Sequence, residues 1–245
     1  MQNNELNTQP QLPTKQAAFS MRKVIPGFLI AFLISILCII VVSGKWDWWE
    51  GWLLVIITSA TTTGGRLLLI KKHPDLANER ANYKEQTGVQ TWDKKLMPIV
   101  AIFGPLSIWI AAGLNKRFVS TGTLPISIEI AAFILIFAAY TFSTWAMLEN
   151  QFFAAVVRIQ KDRQHQVIET GPYQFVRHPG YAGSFFATLF IPLALSTYWA
   201  YIPVLLTNLI LCIRTAKEDR FLQAELPGYA EYETRTRYRL IPGIW

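Results

Sequence analysis

YAGSFFATLFIPLALSTYWAYIPVLLTNLILCI, residues 181–213, is 33 residues long and almost wholly apolar. One helix crossing a bilayer core takes about 20 residues, within a range of roughly 17 to 25, so this run is too long for a single span. It also carries its own interruptions. Pro192 and Pro203 lack an amide hydrogen, and Ser196-Thr197 sets two polar side chains between them, which is where a chain reversal meets least resistance. The stretch reads as a tight hairpin of two short helices that enter and leave on the same side.

Four more apolar runs precede it, at 24–43, 51–70, 96–114 and 126–148, each near the length of a crossing. The first would give roughly 30 Å of helix at about 1.5 Å per residue. The expected fold class is therefore all-α: a polytopic integral membrane protein with about six transmembrane helices, a short C-terminal helical hairpin and a cytosolic amphipathic extension. Composition agrees, because 52% hydrophobic residues and a mean hydropathy of +0.27 suit a lipid-facing exterior better than a solvated one.

Charge supports the hairpin independently. With six crossings, 20 of the 23 Lys and Arg residues fall on one side, leaving Lys45, Lys116 and Arg117 opposite. Basic loops stay cytoplasmic, so both termini are expected there, and the net charge of +7 reflects topology rather than a nucleic-acid partner. Residues 1–22, rich in Asn, Gln, Thr and Pro, read as a disordered cytosolic tail. Residues 23–148 form a four-helix transmembrane portion, and 149–245 a C-terminal portion with room for chemistry.

Soluble-enzyme signatures are absent: no GxGxxG opening a helix, no phosphate loop ending in GKS or GKT, no HExxH and no CxxC. Cys38 and Cys212 lie in apolar runs, and three histidines make a metal centre an unsupported reading. What remains is GPYQFVRHPGY (171–181), then RTAKEDRFL (214–222), then PGYAEYETRTRYRLIPGI (227–244). Arg214, Glu218, Phe221, Leu222 and Glu225 recur at helical spacing, so the last membrane helix is expected to run on as one rod until Pro227-Gly228 stops it. Tyr229 and Tyr232 read as packing aromatics of the tail.

In this order and beside a membrane hairpin, the motifs resemble the isoprenylcysteine carboxyl methyltransferase family and, more loosely, its phospholipid methyltransferase relatives. The resemblance covers 158–244, and the inner loop from Pro74-Asp75-Leu76 to Trp92-Asp93 is also similar to bacterial members. It implies an S-adenosylmethionine pocket built from the C-terminal segments. It assigns the cofactor to His165, Gln166, Val167, Ile168, Tyr173, His178, Pro179, Gly180, Tyr181 and Glu218, and the substrate to Arg214, with Arg214 and Glu218 as the catalytic pair. Arg158 stands where the family can place a glutamine.

The residue types suit methyl transfer. A carboxylate acceptor is ionised at neutral pH and needs no general base, and a guanidinium can hold it by two parallel hydrogen bonds. Expected partners are a lipophilic small-molecule or prenylated substrate arriving from the bilayer, and membrane lipids. Three other classes stay open: a phospholipid amine N-methyltransferase, which would need a base; a nicotinamide-dependent sterol-type reductase, whose relatives carry Asn where Gly180 stands; and a non-enzymatic membrane scaffold.

Overall fold

A computed structural model of the chain describes residues 29–30, 32–119 and 123–245, and every regular element among them is helical. In order these are α1 (Phe32–Ser43), α2 (Trp49–Lys72), α3 (Pro74–Ala81), α4 (Asp93–Phe118), α5 (Ile126–Glu149), α6 (Pro179–Ala194), α7 (Tyr201–Glu225) and α8 (Tyr229–Arg235). Short 3-10 turns connect several of them. Four helices are long and apolar enough to cross a membrane: α2, α4, α5 and the stretch Tyr198–Glu225 that contains α7. The 16-residue α6 is shorter. Of the expected first crossing, 24–43, only the C-terminal part falls within the described residues, and the expected tail, 1–22, lies outside them.

The C-terminal hairpin forms where the sequence places it. Helix α6 ends just past Pro192, Ser196 turns with a positive φ of 50°, and α7 starts at Tyr201. Helix α7 then runs unbroken through the charged turn holding Arg214 and Glu218, and ends at Glu225 before Pro227-Gly228. Both His-Pro pairs open helices, with Pro74 and Pro179 at the first position of α3 and α6, where the missing amide hydrogen costs nothing.

Contacts sort the loops into two ends. At one end Lys116 pairs with Glu50 at 3.0 Å, Arg117 donates to the Val41 carbonyl, and Ser196 donates to Glu129. The loop of α3, the segment 150–178 and the tail after α7 gather at the other end, joined by Arg158–Glu79 and Arg214–Asp93. Ile134 and Phe137 of α5 and Leu205, Leu206 and Leu209 of α7 are exposed, large apolar side chains that suit lipid rather than water.

Helices α5 and α6 pack most closely, and glycine is the reason. A Cβ on Gly183 would lie 2.5 Å from the Ala139 carbonyl oxygen and 2.7 Å from the Ser143 Cβ. Small residues let membrane helices approach to backbone distance, and Ser143 uses that proximity to donate to the Gly180 carbonyl at 2.9 Å. Gly183→Val is expected to force these helices apart and lower the melting temperature in detergent, an overpacking cost of about 1–3 kcal/mol. An unchanged melt would contradict the close crossing. Helix α4 departs from the sequence reading: after Pro98 it runs as a π-helix over Ile99–Phe103, a local widening that apolarity alone does not reveal.

Candidate active site

Helix α7 delivers three charged side chains from adjoining turns to three different neighbours. Asp219, fully buried, turns toward the tail. Its carboxylate accepts from Arg177 Nε and Nη2, both at 2.8 Å, from Arg239 Nε at 2.7 Å and from the Tyr229 hydroxyl at 2.8 Å, and His178 Nε2 lies 3.1 Å away. Two backbone bonds, Arg177 N to the Tyr238 carbonyl and His178 N to the Arg239 carbonyl, tie the tail to the start of α6. Burial by itself would lower the Arg177 pKa, but the bonds to Asp219 hold it above the ordinary guanidinium value.

Glu218 turns the other way and lines a cavity. Its Oε2 accepts from the Tyr181 hydroxyl at 2.6 Å, whereas its Oε1 has no protein partner among the described residues. The Tyr181 hydroxyl in turn accepts from Arg214 Nη1, and the Arg214 guanidinium lies 5.0 Å from the Tyr181 ring centroid. Arg214 also donates from Nε to Asp93 at 2.7 Å and from Nη2 to Asp93 at 3.3 Å. The buried Asp93 carboxylate accepts the Val157 amide as well, at 2.8 Å. A chain of bonds thus runs from the first residue of α4 to the cavity edge: Asp93, Arg214, Tyr181, Glu218.

All ten residues expected at the cofactor line that one cavity. It is narrow, about 90 Å³, and its apolar wall comes from a cluster that includes Tyr173, Val167, Ile168, Leu222 and Leu226. Segment 166–168 has no regular secondary structure, and among the described residues nothing hydrogen-bonds its backbone N–H or C=O groups. His165 packs against Phe152, with ring centroids 4.6 Å apart and planes tilted by 31°. Burial, helped by the charges of Arg158 and Arg163, pushes its pKa down to about 4, so the ring is neutral at neutral pH. Burial raises the Tyr173 phenol above its ordinary value, and its hydroxyl is taken up by Asn150 and the Ala146 carbonyl.

Arg214 is set apart from the ten. It lines a second cavity of about 520 Å³ that meets the first across Phe153, Ala154, Gly180 and Tyr181. Gly180 is glycine for space: a Cβ there would lie 2.4 Å from the Phe153 ring. Arg158 also reaches the cavity edge, but its guanidinium is tied to Glu79 at 2.9 Å and to Asp162 at 2.9 and 3.2 Å, which fastens the pocket loop to α3.

Sequence reasoning missed Tyr229 and Tyr232, which line the first cavity, and Asp219, which carries the tail. The hydroxyl of Tyr232 donates to the Tyr173 carbonyl at 2.7 Å, closing the wall. The i,i+3 spacing of the two tyrosines after a Pro-Gly stop marks one face of a short helix. Asp219 had no local signal to separate it from its neighbour.

No curated protein matches the chain. Residues 129–224, from the first turn of α5 to the last turn of α7, match the isoprenylcysteine carboxyl methyltransferase (ICMT) family, the family that the motifs of this segment resemble.

Proposed function

We propose that this protein is an S-adenosylmethionine-dependent membrane methyltransferase that O-methylates the carboxylate of an isoprenylcysteine-like or other lipophilic acid, with both termini in the cytoplasm. The observation that carries the reading is the first cavity's donor set. Glu218 Oε1, without a partner among the described residues, suits an ammonium or ribose hydroxyl. The main-chain groups of 166–168, unpaired among the described residues and set beside the apolar side chains of Val167, Ile168 and Leu222, suit a purine edge and face.

When bound, S-adenosylmethionine supplies a methyl group on a sulfonium, and the carbon–sulfur electron pair returns to sulfur as the ester carbon–oxygen bond forms. The protein's part is to position the reactants and exclude water. Tyr181, fixed from two sides by Glu218 and Arg214, presents its ring where the cavities meet, and an aromatic face there favours a passing cation. No proton has to move, because the acceptor is already ionised. The commitment of His178 to Asp219 is consistent with that.

Purified full-length protein, incubated with methyl-labelled S-adenosylmethionine and N-acetyl-S-farnesylcysteine, is expected to yield labelled product that base converts to methanol. Label that survives base would indicate N-methylation and overturn the carboxylate reading.

A further inference from the structure

The second cavity lies between α2 and α4, and its wall carries three arginines, Arg66, Arg80 and Arg214, with no Asp or Glu side chain among its lining residues. Its outer margin includes Ala101, Ile102 and Pro105, all exposed on α4. The wall also carries hydroxyl side chains, among them Thr61, Thr62, Ser143 and Thr144, and a guanidinium that faces such a membrane-adjacent space without a carboxylate partner is costly unless an anion completes it.

The arginines are not equally available. Arg214 has Nε and Nη2 on Asp93, Nη1 on Tyr181 and a further bond from Nη2 to the Ala155 carbonyl. Freeing it for a ligand would strand the buried Asp93 carboxylate. Arg80, by contrast, makes a single hydrogen bond among the described residues, from Nη1 to the Phe153 carbonyl at 2.8 Å, and its guanidinium lies 5.3 Å from the Phe153 ring centroid. No carboxylate pairs with it among those residues, and its Nε and Nη2 are uncommitted. Phe153 belongs to both cavity walls, so a group held by Arg80 sits beside the opening toward the cofactor cavity.

We propose that Arg80 is the acceptor-binding residue of this site: its uncommitted guanidinium edge holds the acceptor's carboxylate by paired hydrogen bonds, while the apolar remainder of the acceptor leaves sideways between α2 and α4. The inference rests on the methyltransferase reading for the use of that carboxylate, and it moves the substrate contact from Arg214 to Arg80. Arg214 becomes a positioning residue that fixes Tyr181 against Asp93. Burial, together with the charges of Arg66 and Arg214, lowers the Arg80 pKa to about 10, which leaves it charged at neutral pH.

The test is binding without the cofactor. Detergent-purified full-length protein is titrated with N-acetyl-S-farnesylcysteine and with its methyl ester, which shares the apolar body but lacks the charge. Wild type is expected to prefer the acid roughly tenfold or more, as charge-assisted hydrogen bonds do. Arg80→Ala should erase the preference and leave S-adenosylmethionine affinity unchanged. Arg80→Lys, which keeps the charge, should retain part of the preference, and it tests the same point if the alanine variant does not fold. An acid preference undiminished in both variants, or absent from wild type, overturns the inference. A wild type that prefers the acid but transfers no methyl label to it supports the carboxylate site and overturns the methyltransferase reading alone.

Discussion

Asp219→Ala is expected to destabilise the protein by about 3–5 kcal/mol, the usual consequence of removing one partner from a buried ionic cluster. The loss is large because this one carboxylate accepts from Arg177, Arg239 and Tyr229 and contacts His178, all within 3.1 Å. Without it two guanidiniums remain at the start of α6 and in the tail with much of their compensation gone, and the tail's cover over the first cavity loses its anchor. Thermal unfolding in detergent measures this directly, with limited proteolysis as a second reading of tail release. Asp219→Asn, which keeps an acceptor oxygen but not the charge, should fall between wild type and alanine. A melt within experimental error of wild type would show that the cluster does not hold the tail.

Glu218→Ala should do the reverse. The side chain accepts one hydrogen bond among the described residues, from the Tyr181 hydroxyl, and offers its second oxygen to the cavity. Stability should change little, while affinity for S-adenosylmethionine should drop about 10- to 100-fold, the range of one charge-assisted hydrogen bond or ion pair lost from a partly buried site. Equilibrium binding of labelled cofactor measures it. Two adjacent acidic residues would then divide cleanly, one holding the fold and one holding the ligand. Comparable effects from both substitutions would contradict the division.

Physical reasons separate what was legible in the sequence from what was not. The helices α2, α4 and α5 follow from apolar runs of membrane length, and the hairpin follows from Pro192 and Ser196-Thr197 within a run too long for one span. The end of α7 follows from Pro227-Gly228. Each is a local property of the chain. The gathering of His165, Tyr173, His178, Tyr181 and Glu218 around one cavity was legible only as a pattern of motifs shared with a family, because no spacing rule joins segments that meet through a membrane hairpin. Illegible were the partners. Arg214 and Asp93 are 121 residues apart, and Arg158 and Glu79 are 79 apart, so nothing near either arginine announces that its guanidinium is engaged. For the same reason Arg80 read as one more charge in an exposed loop, although it faces a cavity.

The one-sided distribution of charge also gains content. The end that collects most Lys and Arg residues is the end where the two cavities meet, one walled by the C-terminal segments and one open between α2 and α4. On the proposed methyltransferase reading, a water-soluble donor and a lipid-soluble acceptor would reach a shared wall, Phe153 to Tyr181, from different phases.

Calorimetric titration of the purified full-length protein with S-adenosylmethionine and, separately, with NADPH tests the central claim most directly. Saturable heat with S-adenosylmethionine at one site per chain, and none with NADPH, is the predicted result. Absence of binding by S-adenosylmethionine, or binding by NADPH in its place, would contradict it.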